Sequence, residues 1–332
     1  MRNIGISFFP SGFLFLFTAV SSTTGATVSR EVPALVELNS QQELDLPEVI
    51  HRASWNKILL REIRATADGV WALIDSKQQP NQSALVKVGF DGRLQRFIDL
   101  PGTPPNGAFV LSSRGPVVVV GIQRRGFLRQ YDESGRSDVA ADIAVPCFSQ
   151  LIAIAGQPAT ICQDGTVTVY GSGASPMRYS SWARPGTLVE AVAGKNLAIV
   201  DQVSGQRLLY DLETGRTTAT GGTAPEIEEA LRKTSEHDRR AMQQAASERG
   251  PAAGRSLVAM DSAVDESGWY LLIWPIPPNL GPGEVKFDSS GQLLARYRCR
   301  TPSGTAAWHR IDAANGYLIV ASSAGKILRY RP

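Results

Sequence analysis

The chain has 332 residues, 43% of them hydrophobic and 20% charged, with 31 glycines, 20 prolines and a formal net charge of +3. Such a composition is too apolar for disorder and too turn-rich for a helical bundle. Basic residues are scattered beyond Arg124-Arg125 and Arg239-Arg240, so the stripe that a nucleic-acid binder concentrates is missing and nucleic acid is set aside as a partner.

The N-terminus comes first. Met1-Arg2 carries a positive charge, Ile4 to Val20 is mostly apolar around Phe13 to Phe17, and small polar residues lead to Thr24-Gly25-Ala26. This layout predicts a secretory signal peptide over residues 1–26, cleaved after Ala26, and a secreted or periplasmic protein. Pro10 interrupts the apolar run and leaves it short of the roughly 20 residues a spanning helix needs. No later segment is long and apolar enough to span a membrane.

Along the rest of the chain, period-2 runs end in turns at a spacing near forty residues. One marker is an aromatic residue closing a strand before an Asp- and Gly-containing turn. It reads Phe90-Asp91-Gly92, Tyr131-Asp132-Glu133-Ser134-Gly135, Tyr210 to Gly215 and Phe287 to Gly291, with a weaker copy at Tyr170 and a last aromatic at Tyr330. Asp opens such turns because its side chain bonds the backbone beyond it, and Gly supplies a positive φ. A second marker lies upstream of each: a turn with Gly69, Gly115, Gly156, Gly194, Gly268 or Gly316. In five of the six an apolar strand follows, as in Val70 to Ile74, and runs this apolar suit strands covered on both faces. Two markers in the same order six times predict an all-β, six-bladed β-propeller of four-stranded antiparallel blades over residues 27–332. The last unit stops at Tyr330 and lacks its fourth strand. The run from Ala34 to Leu38 and then Gln42 to Pro47 is the expected donor, with Gln42 to Leu46 closing the last blade and covering its open edge.

This recurring aromatic-Asp-x-x-Gly turn, with its strand spacing, resembles the six-bladed propellers of the NHL-repeat type across most of residues 33–332. The resemblance implies a fold and carries no function, because propellers host many. The third unit departs from the pattern by lacking the turn Asp.

Antiparallel meanders put the b–c loops and the d–a connections on one face of the disc. Longer marker spacings in units one and five point to extended b–c loops at Ser76 to Ser83 and Pro275 to Gly283. Between units four and five the chain loses β character. Thr223 with Glu226 forms a capping box, and Ile227, Leu231, Met242 and Ala245 make an apolar stripe, so a helical insertion is expected over 223–250 on that same face. Function on a rigid scaffold tends to sit on such loops.

Individual residues are less specific. Arg124, Arg125 and Trp274 lie at b–c loops and are the residue types favoured at contacts. His309, beside Trp308, reads first as a satisfied structural histidine and second as an axial ligand-binding residue. Asp75 and Asp201 end strand b in units one and four, with Asp261 and Asp312 in or near inner strands. They read first as solvated carboxylates and second as oxygen ligands for a hard cation such as calcium, since they do not recur at one register. No other cofactor is suggested. Folding the third unit about Gly156 puts Leu151 opposite Cys162, with Cys147 at the same hairpin end. A disulfide between Cys147 and Cys162 therefore needs Cα atoms within roughly 4.4–6.8 Å, leaving Cys299 over. No G-x-S-x-G elbow, P-loop or H-E-x-x-H occurs. The expected function is a non-enzymatic binding or interaction module of the cell envelope. Its partner is an unknown protein or small molecule on the elaborated face. A metal-dependent hydrolase of lactonase type is the runner-up.

Overall fold

The computed structural model describes residues 33–332 apart from 80–81, 102–107, 123–124, 133, 138–141, 148, 172–174, 184–185, 193–194, 203–205, 222–258, 267, 274–282, 289–292 and 300–307. The signal peptide expected over residues 1–26 and the helical insertion expected over 223–250 lie outside the described residues, as does the proline-rich stretch before Gly283.

The chain enters through two short strands, β1 (Leu35–Leu38) and β2 (Gln42–Asp45), and a helical turn, α1 (Leu46–Ile50). Meanders follow. The first is β3 (Ile58–Ala65), β4 (Gly69–Ser76), β5 (Gln82–Gly89) and β6 (Leu94–Pro101). The second is β7 (Phe109–Ser112), β8 (Gly115–Ile122), β9 (Arg125–Gln130) and β10 (Ile143–Val145). The third is β11 (Gln150–Ile154), β12 (Gln157–Ile161), β13 (Thr166–Val169) and β14 (Met177–Ser180). The fourth is β15 (Thr187–Ala191), β16 (Asn196–Asp201), β17 (Arg207–Asp211) and β18 (Thr217–Gly221). The fifth is β19 (Ala259–Asp265), β20 (Gly268–Ile273), β21 (Gly283–Phe287) and β22 (Leu293–Cys299). The chain ends with β23 (Trp308–Ala314), β24 (Tyr317–Ser322) and β25 (Lys326–Tyr330). Among the described residues these strands form one five-stranded and five four-stranded sheets.

The first strand of each sheet touches the first strand of the next. β3 meets β7, then β11, β15, β19 and β23 follow in turn, and β23 returns to β3. Each junction between consecutive sheets has its own apolar cluster: Trp71 and Leu73 with Phe109 and Val118, for example, or Ile161 and Val167 with Val189 and Ile199. The fold is a β-propeller, and its core is divided among these junctions.

Local chemistry explains the meanders. β4 is almost wholly buried, and its run Val70 to Ile74 has no polar face because neighbouring sheets cover both sides. The turns after the aromatic residues are closed by Asp. Asp132 Oδ1 accepts from the Arg136 N–H at 2.9 Å and the Ser134 hydroxyl at 2.6 Å. Asp211 Oδ1 accepts from the N–H groups of Glu213 at 2.8 Å and Thr214 at 2.9 Å. Gly115 is required twice over. Its φ is +117°, and a Cβ there would stand 2.5 Å from the Tyr131 carbonyl oxygen.

One expectation is corrected, and the closure of the last sheet by the N-terminal segment is borne out with an addition. The wide marker spacing of the first sheet is absorbed by strands of eight residues each, and the connection itself covers only residues 77–81. The N-terminal segment also divides. β2 pairs antiparallel with β25, Gln42 opposite Arg329 through Asp45 opposite Lys326. β1 instead runs parallel to β22, Leu35 opposite Arg296 through Leu38 opposite Cys299, and makes the fifth strand of that sheet. One segment thus covers the outer edges of two successive sheets. Leu38 packs with Tyr297 and Tyr330, and Leu44 with Ile319 and Ile327. Leu46 and Trp55 continue this packing beneath β3, and Trp55 meets Phe97 edge-on at 5.4 Å.

Candidate functional site: the axial cavity

The first strands surround the axis without forming a ladder with one another. Their facing backbone groups therefore need other partners. Polar side chains supply them. The Asp312 carboxylate on β23 accepts from the Ala65 N–H on β3 and, at 2.9 Å, from the Ala313 N–H. Asp261 Oδ2 on β19 accepts from the Ile311 N–H on β23 at 2.9 Å. Gln150 on β11 donates to the Thr187 carbonyl at 2.6 Å and accepts from the Val189 N–H at 3.1 Å, both on β15. The Ser262 hydroxyl on β19 donates to Glu190 Oε1 on β15 at 3.1 Å, and Arg310 Nε donates to the Arg61 carbonyl at 2.6 Å.

Three of these strands carry a register shift at one level. β3 slips between Leu60 and Glu62, β19 between Ala259 and Asp261, and β23 between Trp308 and Arg310. A bulge re-aims the side chains that follow it. Here they are Glu62, Asp261 and Arg310, opposite Leu73, Leu272 and Ala321. Two residues further along lie Arg64 on β3 and Asp312 on β23. Glu62 stands between the arginines, its Oε1 2.9 Å from Arg64 Nη1 and its Oε2 3.7 Å from Arg310 Nε.

Glu62, Arg64, Glu190, Asp261 and Arg310 line a cavity of about 430 Å³ together with Gln150, Gln163, Thr187 and Gln202. That volume lies within the usual range for small-molecule sites. Gln163 and Gln202 follow the ends of β12 and β16, and Ser149 and Gly186 precede β11 and β15. The cavity therefore opens on the face of the b–c connections.

Electrostatics at the axis are dominated by desolvation. Burial pushes the Glu190 carboxyl up to about 8. Arg64 opposes this, while Asp261, Asp312 and Glu62 add to it. Burial likewise raises Asp261, against Arg310, and raises Asp312, against Arg64 and the N–H groups of Ala65 and Ala313. For Arg64 burial acts downward, but Glu62, Glu190, Asp312 and Asp261 outweigh it and hold the guanidinium firmly charged. Glu62 and Arg64 keep 17% and 21% side-chain exposure, consistent with their facing the cavity.

Asp75 and Asp201, singled out from the sequence, do not line the cavity. Asp75 is committed to Arg61 Nε at 2.6 Å and to the Ser83 hydroxyl at 2.7 Å. Asp201 closes β16, where its N–H donates to the Gln206 carbonyl at 2.9 Å. Among the described residues no group of three His, Cys, Asp or Glu is placed to hold a metal ion. Arg124 and Trp274 lie outside the described residues, and Arg125 and His309 occupy β9 and β23 with side chains outside the described part. Cys147 and Cys162 are joined with Cα atoms 5.5 Å apart, and Cys299 is buried outside the bridge. The bridge ties the segment before Ser149 to the residue before Gln163, at the cavity mouth. Asp261 was noted in the sequence. Glu62, Arg64, Glu190 and Arg310 were not, although charged residues inside strands covered on both sides are a usable signal.

Several solved structures are similar to the chain at low identity. A protein of unknown function from Bacteroides thetaiotaomicron is 11% identical, with a TM-score of 0.51 over 83% of this chain and 70% of that one. Virginiamycin B lyase from Staphylococcus aureus is 12% identical, with a TM-score of 0.49 over 88% and 98% of the two chains. The β-propeller domain of Cps50 (Swd1) from Myceliophteria thermophila is 11% identical, with a TM-score of 0.47 over 89% and 99%. No family model and no curated protein matches the sequence. The first of these likenesses carries the fold alone: the chain is an all-β propeller of small antiparallel sheets.

Proposed function

We propose that this protein is an exported, non-enzymatic binding propeller of the cell envelope that holds a small polar ligand in its axial cavity. The carrying observation is the cavity of about 430 Å³, lined by three carboxylates, two arginines and several amides and opening on the face of the b–c connections. Six blades, one per sheet, is the reading supported by the closed cycle of first-strand contacts. The NHL-repeat relationship is supported by the Asp-closed turns at Asp91, Asp132 and Asp211. Export rests on the charge, apolar run and small residues of positions 1–26. No helix among the described residues is long and apolar enough to cross a membrane.

The test is a thermal-shift screen of polar small molecules. A hit must be lost when Gln150 is replaced by a bulkier Phe at the cavity wall. N-terminal sequencing of protein recovered from outside the cytoplasm should begin at Thr27. The binding reading fails if the protein turns over lactones or esters and Ala at Glu190 or Asp261 abolishes turnover. Glu190, held protonated near neutral pH beside other carboxylates, is the observation that keeps this hydrolase reading second. Metal analysis separates its metal-dependent form, which requires one tightly held divalent ion per chain.

A further inference from the structure

At the axis two arginines, Arg64 and Arg310, meet four carboxylates, Glu62, Glu190, Asp261 and Asp312. Glu62 lies between the arginines, and Asp312 commits its oxygens to the N–H groups of Ala65 and Ala313. Glu190 and Asp261 are each satisfied on one side only. Glu190 Oε1 takes the Ser262 hydroxyl and Asp261 Oδ2 takes the Ile311 N–H. Their second oxygens, Glu190 Oε2 and Asp261 Oδ1, receive no hydrogen bond among the described residues, and both residues line the cavity. The carboxylates in excess over the arginines are thus the ones with an open oxygen.

Those oxygens come from different strands, each pinned by its own donor. A hard metal ion needs six or more oxygens gathered at roughly 2.0–2.6 Å, and no such gathering of acidic residues occurs among the described residues. An organic cation with several N–H donors can bridge separated acceptors. We propose that the axial cavity binds a small organic cation, an alkylammonium or alkylguanidinium, whose N–H groups bond Glu190 Oε2 and Asp261 Oδ1. The inference rests on the cavity being the ligand site.

The electrostatics add a signature. Without a ligand, Glu190 faces Glu62 and Arg64 from β3, Asp261 from β19 and Asp312 from β23, and it keeps its proton near neutral pH. A bound cation favours the ionised carboxylate, so the proton leaves as the ligand enters. Affinity then rises with pH until Glu190 is ionised without help, near pH 8.

Calorimetric titration of the purified chain with n-butylammonium and agmatine at pH 6, 7 and 8 tests this, with butyrate and glucose as controls. Both cations should bind, with affinity rising about tenfold per pH unit from pH 7 to pH 8, where Glu190 releases its proton, and more steeply from pH 6 to pH 7, where Asp261, raised to about 7, releases a second. Glu190→Gln should flatten the rise between pH 7 and pH 8, leaving only the part below pH 7 that belongs to Asp261, and Asp261→Asn should weaken binding at every pH. If a variant unfolds, titration of the unaltered chain in buffers of different ionisation enthalpy counts the released proton directly. The proposal is overturned if neither cation binds, if affinity is flat with pH, or if both variants bind as the parent does. Butyrate or glucose binding in place of the cations overturns the cation and leaves the cavity reading standing. Silence from all four probes removes both.

Discussion

Replacing Glu190 by Gln should stabilise the protein, and increasingly so as the pH rises. In the folded chain the carboxyl is pushed from its ordinary 4.5 up to about 8 by burial. The folded state therefore holds this proton where the unfolded state has released it. Stability contributed by the protonated form is complete below about pH 4.5 and is lost as the pH climbs through about 8. At roughly 1.36 kcal/mol per unit the full shift corresponds to about 5 kcal/mol. Access of water through the cavity reduces this, so a loss of about 2–3 kcal/mol between pH 5 and pH 9 is expected for the parent chain. Gln keeps the shape and the bond to the Ser262 hydroxyl and cannot ionise. Urea unfolding of both proteins across that window reads the effect as a gap in midpoint that opens with pH. Parallel profiles, or a parent stability that rises from pH 5 to pH 8, would refute the burial argument.

Four further outcomes follow from the packing and the disulfide. Gln150→Leu removes the bonds to the Thr187 carbonyl and the Val189 N–H between β11 and β15. It should cost about 1–2 kcal/mol in urea unfolding, because cavity water can replace part of the loss. Thiol titration of the denatured, unreduced protein should find one free cysteine, Cys299, out of three. Opening the Cys147–Cys162 bridge, which closes a separation of 15 residues, should cost about 3 kcal/mol of stability. Leu44→Asp, at a position 5% exposed in the cluster with Ile319 and Ile327, should detach β2 from β25. It should lower stability by about 3 kcal/mol and produce concentration-dependent association by light scattering, as the β25 edge becomes a template for another chain.

The meanders were legible because their punctuation is local. Gly115 and Gly316 sit in turns with positive φ, and Asp132 and Asp211 close the turns that their sequence positions suggested. The pairing of Gln42 to Asp45 with the last strand was legible because an incomplete unit at Tyr330 called for a partner. The position of β1 was not. A parallel neighbour shares no hairpin with its partner, so nothing in the sequence near Leu35 points to Arg296. The axial network was missed for a different reason. A search for one carboxylate type recurring at one register fails when the level is occupied by Glu62, Asp261 and Arg310 in turn. The bulges that bring them to a common level leave no mark in the spacing of apolar residues. Glu190 and Asp312 stand four residues before Gly194 and Gly316, and Glu62 and Asp261 seven before Gly69 and Gly268. A count from the glycines therefore scatters them.

The doubled edge pairing of the N-terminal segment sets an order on assembly. Glu43 and Lys326, joined at 3.0 Å, are 283 positions apart, so the ribosome makes Glu43 long before Lys326. The intervening sheets can each form as their own strands emerge, because their pairings are between neighbours in the chain. β1 finds its place only once β22 exists, and β2 only once β25 does. Joining ends this distant in an unstructured chain would cost about 5 kcal/mol of entropy, and the pre-formed sheets lower that figure by holding the two ends near each other. A chain stopped before Lys326 would have every other sheet available and still leave β2 without its mate. Such a chain should remain soft, sticky and easily digested until β25 is made.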